Sequence, residues 1–193
     1  MPDDEEELES LLSGAPTTDP GELRAWEAAR LGNLHYSAIG QIAAQWAYFE
    51  AIIDSWLISY ARIEPKVGIC FTAQMIGLRP RLDAFIALAK HLGADKRWNQ
   101  TLEDFARDAN GLSQQRNRAV HDVWELTDPT SPHRWEATAQ RSLRYLKHDV
   151  STEELRKLVD NIIKLQARFD DMAATIFSGL HTLPDTLPSH TEP

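Results

Sequence analysis

Between residues 39 and 60 the apolar side chains Ile39, Ile42, Trp46, Phe49, Ile53, Trp56 and Tyr60 recur at intervals of three and four. That spacing keeps them on one side of an α-helix, so it predicts a long helix from about Asn33 to Arg62 with a continuous apolar stripe. Pro65 and Pro80 mark helix starts, and Gly77 and Gly93 mark stops, which predicts two shorter helices near residues 66–76 and 80–92. Asp95 reads as the cap of the next helix, along which Trp98, Leu102, Phe105, Ala109 and Leu112 continue the rhythm. The following position in that register is Arg116. A charged residue there implies that the stripe ends at a cleft or at a seam between subunits.

Beyond His121 the period shortens to two. Val123 to Thr127, Arg134 to Thr138 and Leu143 to Lys147 alternate around the turn-forming Asp128-Pro129-Thr130-Ser131-Pro132, which predicts a small antiparallel hairpin or meander. Ser151 and Glu154 then form a capping box that opens a second long helix, striped by Leu155, Leu158, Ile162, Leu165, Phe169, Met172 and Ile176 and ending near Gly179. The fold class is therefore mostly all-α: an antiparallel helical bundle, with the small β-element between the Arg116 helix and the last helix. Residues 19–179 form one domain. Residues 1–18, acidic and then rich in Ser, Gly, Pro and Thr, are expected to be a disordered tail, and 180–193, with Pro184, Pro188 and Pro193, a flexible one. The two long stripes exceed what the short helices between them can cover. A homodimer is expected, with the Arg116 helix at or near its seam.

The length, 193 residues, suits a single domain with a real core. A formal charge of −9 argues against a nucleic-acid binder until its distribution is considered. Residues 1–54 hold 11 acidic side chains against Arg24 and Arg30, whereas the remainder holds 18 of each sign. Net charge thus neither supports nor excludes an RNA partner. Cys70, the single cysteine, lies in the run Val67-Gly68-Ile69-Cys70-Phe71 and is expected to be a small buried hydrophobe. The first residues are acidic rather than signal-like, and no uncharged apolar run reaches membrane-spanning length. A soluble cytoplasmic protein without a membrane partner is expected.

The hexapeptide Arg116-Asn117-Arg118-Ala119-Val120-His121 concentrates the chemistry. Arginine presents a permanent planar fork of donors that fits phosphate oxygens, histidine moves a proton near neutral pH, and asparagine can orient either one. On an ideal helix Asn117 and His121 share a face, whereas Arg116 and His121 stand about 140° apart. Either the arginine stem wraps toward the histidine, or the helix ends or distorts there, or a second subunit completes the site. Other chemistries lack their motifs. No CxxC, HExxH or E-x-x-H appears, Glu103, Asp104 and Asp108 do not form paired E-x-x-E and E-x-x-D motifs, and no P-loop, dinucleotide fingerprint or G-x-S-x-G elbow is present. Neither a metal nor a cofactor is implied.

Arg116, Asn117 and His121, followed by Asp122-Val123-Trp124, resemble the R-N-x-x-x-H signature of the HEPN superfamily, small all-helical proteins that include many metal-independent endoribonucleases of toxin–antitoxin and defence systems. The resemblance extends more loosely from about Asn33 to Phe177. It implies a homodimer with paired motifs facing one another, RNA as substrate, and an antitoxin or nucleotidyltransferase as partner. It also implies cleavage by the ribose 2′-hydroxyl attacking the adjacent phosphate. Arg116 would stabilise charge developing on phosphorus, His121 would transfer a proton, and Asn117 would orient His121. The rival reading is a non-catalytic helical dimerisation or interaction module that binds RNA, a nucleotide or a protein.

The remaining candidates each carry two readings. Glu50, beside the first stripe, is either a carboxylate that positions Arg116 or His121 or a boundary glutamate. Arg118 is an RNA contact or a solvated helix residue, and Trp124 stacks a base or belongs to the core. The stretch containing Arg141, Arg144, Tyr145, Lys147 and His148 either guides a phosphate backbone or is the wet face of a strand.

Overall fold

The computed structural model of the chain describes residues 20–125, 132–139 and 143–180, and only the backbone of 22–31, 138, 139, 143 and 180. The predicted tails before Pro20 and after Leu180, and the turn around 128–131, lie outside the described residues. The chain is mostly helical with a small antiparallel sheet: α1 (Pro20–Ala61), α2 (Pro65–Thr72), α3 (Leu78–His91), α4 (Lys96–His121), β1 (Val123–Glu125), β2 (His133–Ala139), β3 (Leu143–Asp149) and α5 (Thr152–Leu180). Helix α1 begins earlier than its stripe. Pro20 sits at its first position, and the following Glu, Leu, Arg and Ala residues favour helix without needing a buried face.

The two stripes bury each other within one chain, which corrects the premise from which a dimer was expected. Helices α1 and α5 run side by side, with Phe49 edge-on to Phe169, the Tyr60 hydroxyl donating to the Ala173 carbonyl at 2.9 Å, and Gln166 Nε2 donating to the Gln45 carbonyl at 2.6 Å. Every predicted stripe residue of α5 is buried. Phe105 of α4 closes the core against Phe49 and Phe169, and Phe85 of α3 against Tyr60 and Phe169. The length of α1 and α5, rather than a second subunit, supplies the missing cover.

The caps follow the sequence. The Asp95 carboxylate accepts from the Trp98 amide at 2.9 Å, and Ser151 and Glu154 satisfy each other's backbone amides at 3.1 and 2.7 Å. The Ser151 hydrogen bonds hold the Glu154 carboxyl below its ordinary range.

Cys70 departs from expectation and is exposed. Helix α2 turns only Gly68 and Thr72 inward, and Cys70, two residues from each, falls on the opposite side. The approach at Gly68 is close: a Cβ there would run into the Ile58 side chain. The next turn is held by Arg81 of α3, a buried residue the pattern did not flag. Its guanidinium forks onto Asp54 (Nε 2.9 Å, Nη2 3.3 Å) and donates to the carbonyls of Thr72, Met75 and Gly77.

The sheet has the order β1-β2-β3, with Val123 opposite Trp135, and Trp135 opposite Lys147 on its other side. It joins the end of α4 to the start of α5 and so sits beside the Arg116 helix terminus.

Candidate functional site

Arg116 stands at the polar end of the α4 stripe, past Leu102, Phe105 and Ala109, with its stem half-buried and its Nε enclosed. The guanidinium turns along the helix. Its Nη1 donates to Asn117 Oδ1 at 2.9 Å and lies 3.5 Å from His121 Nε2, at the outer limit of a hydrogen bond. The long arginine stem spans the angular gap between the two positions, so one chain brings Arg116, Asn117 and His121 together. Because a guanidinium only donates, this contact requires His121 Nε2 to accept and the imidazole proton to sit on Nδ1.

His121 is the last residue of α4 and is exposed, as is Asn117. Asp122 leaves the helix in an extended conformation. Gln114, Asn117, Arg118, His121 and Asp122 border an open cleft of about 560 Å³. Among the described residues Arg116 forms no ion pair, which separates it from its neighbours. Arg118 reaches Asp122 at 3.4 Å and Glu136 at 3.0 Å; Arg134 reaches the same two carboxylates at 2.5 and 3.5 Å. His148 Nε2 lies 3.2 Å from Glu136, without hydrogen-bond alignment. These groups clamp β2 and β3 to the end of α4. Arg118 thus ties the sheet to α4 while also bordering the cleft.

The other candidates are distributed more widely. Trp124 is half-buried; its indole donates to the Ala119 carbonyl at 2.8 Å and its ring meets His35 edge-on. Glu50 is not brought to the motif. Its carboxylate accepts from Trp46 Nε1 at 3.1 Å, and the adjacent Phe49 packs on Phe105, about 16 Å along α4 from Arg116. Arg144 and Lys147 are exposed on β3, while Arg141 lies outside the described residues. The acidic group Glu103, Asp104 and Asp108 is spent on separate pairs with Lys90, Arg107 and Arg168.

His35 was missed, because a histidine inside an amphipathic helix has no sequence signature of its own. It is buried between α1, β1 and α5, with Nδ1 3.3 Å from Thr152 Oγ1, the ring against Trp124 and Nε2 without a partner among the described residues. Burial lowers its pKa below the ordinary 6.5. Folding therefore favours neutral His35. Its contribution is complete above about pH 6.5 and declines as the pH falls toward the lowered folded-state value, because the unfolded chain binds the proton first. Urea-unfolding midpoints measured from pH 8 to 5 are expected to fall less for His35→Phe than for the wild type. Parallel curves would remove His35 as the source of acid sensitivity.

Searches against protein-family models, curated proteins and solved structures give no match to this chain.

Proposed function

We propose that this chain is a HEPN-type, metal-independent endoribonuclease whose site is Arg116 and His121 supported by Asn117. The observation that carries the proposal is an arginine with no ion pair among the described residues, half-buried at the stem, aimed at an exposed histidine beside an open cleft. Nearby arginines have their charge met by carboxylates; this one is available to a phosphate. In the reaction O2′ bonds to phosphorus as the bond to O5′ breaks. One proton leaves the 2′-hydroxyl and another reaches the departing O5′, giving a cyclic phosphate and a 5′-hydroxyl. Arg116 offsets the charge that grows on the phosphoryl oxygens, and His121 transfers one proton.

One chain offers one imidazole at this site, whereas the reaction moves two protons. A homodimer with facing α4 ends supplies both. The outward residues Asn110, Gly111, Gln114 and Gln115 suit such a seam, being uncharged and in part small, so two copies could approach without like-charge repulsion. The rival reading keeps the motif helix for dimerisation or for binding RNA or a nucleotide without cutting; a protein partner is favoured separately by α2, where Val67, Cys70 and Phe71 share the outer side, with Val67 49% and Phe71 62% exposed, and Ile76 just beyond is 92% exposed.

The deciding experiment incubates purified chain with end-labelled RNA in excess chelator. Cleavage that persists and leaves cyclic-phosphate and 5′-hydroxyl ends supports the ribonuclease reading. RNA that is bound but never cut gives way to the interaction module. Light scattering at micromolar concentration is expected to show a dimer.

A further inference from the structure

The sheet carries a feature outside the motif. In an antiparallel ladder, directly opposed residues and every second residue share a face, so Val123, Trp135, Ala137, Tyr145 and Lys147 lie on one side. Their partners on the other side, Trp124, Arg134, Glu136 and His148, face the bundle or the ionic clamp. On the outer side Trp135 and Tyr145 stack with centroids 5.1 Å apart and planes 20° from parallel. Lys147 Nζ stands 5.9 Å from the Trp135 ring centre. Tyr145 is 59% exposed, and the residue directly across from it is Ala137, too small to cover its ring.

We propose that this face is a stacking platform for unpaired bases of single-stranded RNA, in which a base continues the Trp135–Tyr145 stack on the open side of Tyr145. Three observations select this occupant. The rings already lie near-parallel, as a stacked base requires, whereas aromatic pairs in the core of this chain meet at 41° or more. Lys147, exposed on the same face, is a cation suited to a phosphate backbone. Of the acids on this face, Glu125 accepts from His133 and Trp135, and Asp149 lies at the far end of β3 from Tyr145. Val123 stands opposite Trp135 and two residues after His121, so the platform begins about 10 Å from the His121 backbone. The inference rests on the RNA reading above and narrows its substrate to strands whose bases are free to stack.

The test uses the full chain carrying His121→Ala, to bind without cutting, with fluorescein-labelled oligouridine and a duplex RNA of equal length. Tyr145→Ala is expected to weaken single-strand binding by about fivefold or more, Tyr145→Phe to preserve it, and duplex binding to be weaker and indifferent to both. Ala137→Ile guards against a loss of fold, because a β-branched residue favours the strand while leaning on the open ring; it is expected to weaken binding as well. Unchanged single-strand affinity in Tyr145→Ala overturns the platform. So does a wild-type chain that binds no single strand, which would leave this face to a protein partner. Tyr145-dependent binding by a wild-type chain that never cuts retains the platform and removes the cleavage proposal. His121-dependent cutting that ignores both Tyr145→Ala and Ala137→Ile does the reverse.

Discussion

Replacing His121 by Ala is expected to lower RNA cleavage by about 100-fold to 10,000-fold, the range associated with losing a positioned proton-transfer group. The fold should survive because the side chain is exposed and leaves no core cavity. Arg116→Ala should be at least as damaging, since it removes both the cation that offsets charge on the phosphoryl oxygens and the contact to His121 Nε2. Arg118→Ala separates the motif from its surroundings. Arg118 bridges Asp122 and Glu136, so on the ribonuclease proposal its loss should lower stability modestly while the folded protein keeps cutting. Single-turnover assays on the three variants, each checked by circular dichroism, make the comparison. A His121→Ala protein that cuts as fast as the wild type would end the ribonuclease proposal.

The largest expected loss of stability lies elsewhere. Arg81→Met keeps an apolar stem but leaves the Asp54 carboxylate and the carbonyls of Thr72, Met75 and Gly77 without their donors. Breaking one side of such a buried pair typically costs about 3–5 kcal/mol, which lowers the melting temperature by roughly 10 °C or more in a domain of this size. Arg81→Lys should rescue little, because a single ammonium cannot reproduce the five-donor fork. Adding Asp54→Leu to Arg81→Met should recover part of the loss by removing the stranded charge. Denaturant titration checks both; a loss below about 1 kcal/mol for Arg81→Met would mean water replaces the fork at little cost. Asp54 is about 28 Å along α1 from His35 and the sheet, so activity at low temperature should be unaffected.

Much of this architecture was legible in the sequence because it is encoded locally. The three-and-four spacing from Ile39 to Tyr60 and from Leu155 to Ile176, the Asp95 cap, the Ser151–Glu154 box and the change to period two after His121 each depend on residues within a few positions of one another. The three motif residues belong to the same class, and their types alone suggested phosphate chemistry. Tertiary structure decided what lies across from what. It turned Cys70 outward, set Arg81 against Asp54, gave Glu50 to Trp46, and made a tether of Arg118. It also placed Trp124 against His35 and left Trp135 and Tyr145 as the exposed stack. Periodicity fixes which side of an element is apolar, but a polar side chain's partner depends on the crossing of helices and the register of strands, which no single segment contains. The same limit applies within the motif: helical angles separate Arg116 from His121, and only the path of a flexible stem over a folded surface closes the gap.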